Sequence, residues 1–127
     1  MTQELRILMF SDEEVAQAIV LYLRRQGISS PQGRVSVLAK SGHPRVEVRY
    51  AVGFGEESLH EAITGESLAG ALVLYCIEKH IPLRRDAQKI LHLVDDKIVL
   101  ILNQHFPTTL VVRMLAPPAK PEPKPVP

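Results

Sequence analysis

Two stretches of the chain, SDEEVAQAIVLYLRRQGIS (residues 11–29) and TGESLAGALVLYCIEKHIP (residues 64–82), align without a gap. Seven of the nineteen aligned positions are identical: Glu13/Glu66, Ala16/Ala69, Ala18/Ala71, Val20/Val73, Leu21/Leu74, Tyr22/Tyr75 and Ile28/Ile81. Ser11/Thr64, Val15/Leu68 and Ile19/Leu72 are conservative replacements. The identities concentrate in Ala-x-Ala-x-Val-Leu-Tyr, which reads as an internal duplication.

Both copies carry the physical signals of a helix start. Ser11 precedes Glu14 by three residues, the capping-box spacing, and Asp12, Glu13 and Glu14 suit the positive end of the helix dipole. Thr64 is the matching cap candidate, with Glu66 in the first turn. Phe10 and Ile63 stand just before the caps, at staple spacing from Val15 and Leu68. The helices are expected to end near Gln26–Gly27 and Lys79–His80.

Each helix is followed by an expected β-hairpin. RVSVLAK (residues 34–40) and RVEVRYAV (45–52) flank a turn at Ser41-Gly42-His43-Pro44, while KILHLV (89–94) and KIVLIL (97–102) flank Asp95-Asp96. The fold class predicted is α+β: two tandem α-β-β repeats related by a pseudo-twofold, forming a four-stranded, mainly antiparallel sheet with helices packed on one face. Residues 1–116 form one domain, with repeat 1 over about 11–52, a linker over 53–63 and repeat 2 over about 64–103. Residues 5–10 and 110–115 read as terminal strands, and residues 56–63 as a short helix within the linker. Residues 117–127 hold six of the chain's ten prolines and read as a disordered, polyproline-like tail with a loose PxxP pattern.

The two repeats differ in how much apolar surface they carry. In the first hairpin Val46, Val48, Tyr50 and Val52 alternate with Arg45, Glu47 and Arg49, the pattern of a strand with one wet face. In the second, residues 98–102 are apolar on both faces, and the second helix is apolar almost all round from Leu68 to Ile77. An element of that kind must be covered on every side. Either the rest of the chain or a partner supplies the cover, and the partner reading makes Leu72, Val73, Cys76, Ile77, Val99 and Ile101 the candidate apolar contact residues.

Composition bounds the remaining possibilities. The 127 residues are 46% hydrophobic and 23% charged with a net charge of +1, ordinary values for a soluble domain. A single cysteine excludes an internal disulfide framework and fits a reducing compartment. No secretory signal is evident in the first ten residues, and the longest apolar run, residues 68–77, is about half of a membrane span. The expected setting is cytoplasmic, without a membrane span.

Charge is unevenly spread: residues 24–49 carry six cations against Glu47, whereas residues 50–66 carry four glutamates and no cation. With Val35, Val37 and Ala39 facing the core, Arg34, Lys40, Arg45 and Arg49 form an outward patch, and Arg84 and Arg85, near Lys89, a second. These are the candidate residues for an anionic partner, nucleic acid included. Aromatics at 5% argue against recognition by base stacking.

Catalytic chemistry finds less support. None of His43, His60, His80, His92 and His105 has metal-ligand spacing to another, and Cys76 has no CxxC partner. His60 with Glu56, Glu57 and Glu61 is the densest cluster for a metal or acid–base site, and an acidic surface helix accounts for the same letters. Cys76 aligns with Leu23 and so reads as a small hydrophobe, while Tyr22 and Tyr75 read as equivalent core residues. The glycines of Val52-Gly53-Phe54-Gly55 read as a joint between repeats, because the glutamates that follow would repel a phosphate. No cofactor motif and no metal set is identified. The function expected is a small cytoplasmic, non-catalytic protein-interaction or regulatory module that self-associates. A nucleic-acid-binding basic hairpin and a small metal-dependent enzyme using His60 are the alternatives.

Overall fold

Nine elements of regular structure follow one another along residues 2–28, 34–43, 45–53 and 58–115, the parts of the chain that the computed structural model describes. They are β1 (Glu4–Phe10), α1 (Asp12–Arg25), β2 (Val35–Ser41), β3 (Glu47–Val52), β4 (Leu59–Thr64), α2 (Gly65–Glu78), β5 (Gln88–Val94), β6 (Lys97–Gln104) and α3 (Thr108–Leu115). The architecture is α+β, with two antiparallel three-stranded sheets ordered β1-β6-β5 and β2-β3-β4. The proline-rich segment 117–127 lies outside the described residues, as do Glu56 and Glu57.

Local chemistry sets the helix ends. The Glu14 N–H donates to Ser11 Oγ at 3.2 Å while the Ser11 N–H donates to Glu14 Oε1 at 3.0 Å, which closes the capping box on α1. Thr64 occupies the N-cap position of α2, but its side chain makes no cap bond. There the chain turns out of β4 through Gly65, whose φ of +50° only glycine adopts readily. Both helices finish alike. Gly27 N–H donates to Arg24 O and Ile28 N–H to Leu23 O; His80 N–H donates to Ile77 O and Ile81 N–H to Cys76 O. Gly27 and His80, with φ of +78° and +59°, are the left-handed residues this closure needs. Asp95 and Asp96 both have positive φ and join β5 to β6 in a two-residue turn of the primed kind.

Four sequence expectations are corrected. Residues 59–63 form β4 rather than a linker helix: β3 is the middle strand of its sheet, and β4 satisfies its second edge, with Ile63 opposite Val48. Helical spacing of surface glutamates is a weak signal beside an open sheet edge. Residues 110–115 lie in α3 rather than a strand. The short apolar run Leu110-Val111-Val112 has no decisive period, and β1 already occupies the edge of β6 that a terminal strand would need.

The four-stranded sheet is replaced by two sheets of three, because β1 pairs with β6 from Glu4↔Gln104 to Phe10↔Ile98 and β4 pairs with β3. Helices do not all lie on one face either. The core of Phe10, Val15, Ile19, Leu68, Leu72, Ile98, Leu100 and Leu102 joins α1 and α2 to β6, whereas Val99 and Ile101 pack with Val111 of α3 on the opposite face.

A register shift between Val37 and Ala39 accounts for the fourth correction. An extra residue in a strand reverses the inward and outward alternation beyond it. Ala39 is therefore exposed, and Lys40, expected on the outer face, has a side chain only 6% exposed. Its ammonium group meets Asp12 at the start of α1 and Asp96 Oδ2 at 3.5 Å in the β5–β6 turn. Burial alone would lower the Lys40 pKa; the two carboxylates outweigh it and hold it above the ordinary lysine value.

Two outcomes follow for stability. Leu100→Ala, which empties a fully buried site on β6, lowers the free energy of unfolding in urea by about 2–5 kcal/mol, while Leu38→Ala at the exposed bulge changes it by no more than about 0.5 kcal/mol. The Glu14 carboxylate is held below its usual pKa, first by the Ser11 N–H and then by the Tyr75 and Ser11 hydroxyls, against a partial burial that opposes them. A depressed carboxylate contributes stability that is present above pH 4.5 and lost as pH falls through its folded-state pKa. The stability gap between wild type and Glu14→Gln, measured by urea unfolding from pH 7 to pH 3, therefore narrows below pH 4.5; a pH-independent gap would contradict this.

Candidate functional site

The six apolar candidates divide sharply. Leu72, Cys76, Val99 and Ile101 are fully buried or nearly so within the chain's own core. β1 and β5 flank β6, α1 and α2 cover one of its faces and α3 the other, so those residues already have their partners. Burial pushes the Cys76 thiol pKa up and keeps it a neutral, enclosed hydrophobe. Val73 is half-buried and Ile77 is 63% exposed, leaving these two on the outer face of α2.

α1 and α2 lie side by side with opposite chain sense. The Tyr75 O–H, near the end of α2, donates to Glu14 Oε2 near the start of α1 at 3.0 Å. Tyr75 also stands edge-on to Phe10, with ring centroids 6.1 Å apart. Burial, reinforced by Glu14, raises its pKa, so the phenol stays protonated and donating.

Two grooves are bounded by both helices. The smaller, of about 200 Å³, runs between Gln17, Val20, Leu21 and Arg24 of α1 and Tyr75, Glu78 and Lys79 at the end of α2. The larger, of about 430 Å³, runs between Ala69, Gly70, Val73 and Leu74 of α2 and Tyr22, Arg25 and Gln26 at the end of α1, with Lys89 of β5 beside it. Past Val73 and Lys89 it continues into a hollow of about 370 Å³ floored by Ile77, Ile81 and Leu83 and edged by Arg84 and Arg85.

Six pairs of wall residues stand opposite each other in the match of residues 11–29 with 64–82: Gln17/Gly70, Val20/Val73, Leu21/Leu74, Tyr22/Tyr75, Arg25/Glu78 and Gln26/Lys79; Arg24 of the smaller groove matches Ile77, which lies in the adjoining hollow. Their chemistry differs. The α1 groove has polar Gln17 and Arg24 in its floor and mixed charge at its rim. On the α2 side the same positions hold Gly70 in the groove and Ile77 in the adjoining hollow, and the charged residues lining the groove and hollow together, Arg25, Arg84, Arg85 and Lys89, are all cationic. Among the described residues the sole carboxylate within 4 Å of these cations is Asp86, 3.7 Å from Arg84 with both side chains about 60% exposed, an ion pair too well solvated to matter much.

This groove joins two sets of residues that the sequence kept apart. Val73 and Ile77 come from the apolar set and Arg84 and Arg85 from the anionic-partner set. Sequence reasoning missed Arg25 and Gly70 as site residues, although the replacements Gln17/Gly70 and Arg24/Ile77 in the internal match already marked this helix face as altered.

The other cationic candidates do not assemble into one patch. Arg45 and Arg49 are exposed near β3 and Arg34 borders Asp12 and Glu13, while Lys40 is turned away into its pair of carboxylates. His60 and Glu61 lie next to each other on β4 and therefore project from opposite faces of it. Among the described residues no group of three or more His, Cys, Asp or Glu side chains is placed to hold a metal, and no helix is long and apolar enough to cross a membrane.

The division between interior and surface on α2 has a direct check. Ile77→Ser shifts the free energy of unfolding by no more than about 0.5 kcal/mol, whereas Leu72→Ala, one helix face away, lowers it by about 2–5 kcal/mol. Comparison with known proteins gave no match to a family profile, to a curated protein or to a solved structure.

Proposed function

We propose that this chain is a non-catalytic protein-interaction module, built by duplication of a β-α-β-β unit, whose binding site is the groove over α2. The duplication is supported by the internal sequence match and by the strand order. β1 and β4, the strands that precede the two helices, each pair with the last strand of the other half, β6 and β3. In this reading the halves exchange their first strands, and the α1 and α2 grooves are the same surface occurring twice.

One observation carries the functional reading: of two equivalent grooves, one is polar with mixed charge and the other is apolar with a purely cationic rim. The residues that differ, Gln17/Gly70 and Arg24/Ile77, are exposed on both helices, so the core beneath them does not require the difference. An apolar floor supplies binding energy through area removed from water, and the cations select and orient an acidic partner. An identical groove on a second copy would bring cation against cation, so the occupant is a different chain rather than a symmetric partner.

The anionic aromatic dye 1-anilinonaphthalene-8-sulfonate combines the two required properties and serves as a probe. Its fluorescence is expected to rise saturably with the natively folded protein, to fall as salt is raised, and to be lost in Val73→Asp and weakened in Lys89→Glu, with cooperative thermal unfolding retained in both variants. Equal dye binding by wild type and both variants would remove the groove as the site.

A further inference from the structure

Gly70 sits in the middle of α2, exposed, on the floor of the cationic groove. A glycine inside a helix destabilises it relative to alanine, because its backbone loses more conformational freedom on folding. Packing within the chain does not call for that cost, because a Cβ placed on Gly70 would meet nothing within 4 Å. Its backbone φ is ordinary as well, lying outside the left-handed region. The missing side chain leaves the α2 backbone bare in a groove that Val73 and the cation Arg25 also line.

We propose that the occupant of the groove is an amphipathic helix of a partner protein, seated against the Gly70 backbone and along Val73 and Ile77, with acidic residues flanking its apolar stripe. This rests on the reading of the α2 groove as the binding site and names the class of partner. Residues 70, 73 and 77 share one stripe along α2 at three- and four-residue spacing, the kind of face that a second helix packs against. The distance between two packed helices is set by the side chains at their contact, so a glycine there admits the closest approach.

An extended segment that docked by strand addition would use the open edge of β5, and Lys89, which stands on that strand beside the groove, discourages such pairing. Charge selects the flanks: Arg25, Arg84, Arg85 and Lys89 surround the apolar floor and face a helix whose borders carry Asp or Glu. A neutral or basic amphipathic helix would leave these cations desolvated and unpaired at its rim.

The 127-residue chain can be screened against a display library of short peptides with two arms of equal composition. In one arm apolar residues recur at helical spacing between acidic residues; in the other apolar and acidic residues alternate strictly. Selection is expected to enrich the helical arm. Against the enriched peptides, read by fluorescence anisotropy, Gly70→Leu should weaken affinity by about tenfold or more while leaving thermal stability equal or higher, and Gly70→Ala should raise stability with a smaller loss of affinity. The double reversal Arg84→Glu/Arg85→Glu should also weaken binding and reduce its salt dependence.

Enrichment of the alternating arm, or unchanged affinity in Gly70→Leu, overturns the helix proposal; the groove reading survives either result if Val73→Asp still abolishes binding. If Val73→Asp does not weaken the selected peptides, the groove reading itself falls. Sedimentation of the wild-type protein as a dimer that Gly70→Leu dissociates would assign the groove to a second copy and likewise overturn the proposal.

Discussion

A strand that is apolar on both faces must be buried on both faces, and β6 imposes that demand on the rest of the molecule. Ile98, Leu100 and Leu102 point one way and Val99 and Ile101 the other, and all are within a few per cent of full burial. No two-layer arrangement meets the requirement, because a single sheet with helices on one side leaves its other face wet. The chain meets it by placing β6 between β1 and β5, laying α1 and α2 over one side and folding α3 back over the other. Among the described side chains of α3, Val111 is the buried one, and Ile7 and Met9 on β1 remain about half exposed.

Filling the edge of β6 with the first strand of the chain ties the two ends of the sequence together, and β4 does the same for β3 at the centre. That reciprocal pairing brings α1 and α2 alongside each other, where Glu14 joins its own N-cap to the Tyr75 hydroxyl across 61 residues of chain. Lys40 makes a comparable connection on the far side, between the start of α1 and the β5–β6 turn. Polar groups of this kind specify which elements meet, while the energy of their meeting comes from the apolar core between them.

The proposed site follows from the same packing. Once α1, β4 and β5 have covered the inner side of α2, its outer side retains Gly70, Val73 and Ile77, apolar or bare where the matched face of α1 is polar. The surrounding cations arrive from three separate places: the end of α1, the loop before β5 and β5 itself. None of these is a neighbour of the others in sequence except the pair Arg84 and Arg85, so their convergence is a property of the fold alone.

The sequence by itself determined the local structure: the capping box at Ser11, both helices to within a residue or two, the two-residue turn at Asp95-Asp96, and the two-sided apolar character of residues 98–102. These depend on interactions within a few residues or on a periodicity carried in the letters. Only the tertiary structure decided whether residues 59–63 and 110–115 were helix or strand, since short segments of weak period take the form that an open sheet edge or an uncovered face requires. It also decided the inward direction of Lys40, because a single extra residue in β2 reverses every side chain beyond it. Above all it decided which apolar residues of α2 and β6 are core and which are surface. Hydrophobicity says that a residue leaves water, and the arrangement of β1, β5, α1 and α3 around it says whether the chain has already supplied the cover.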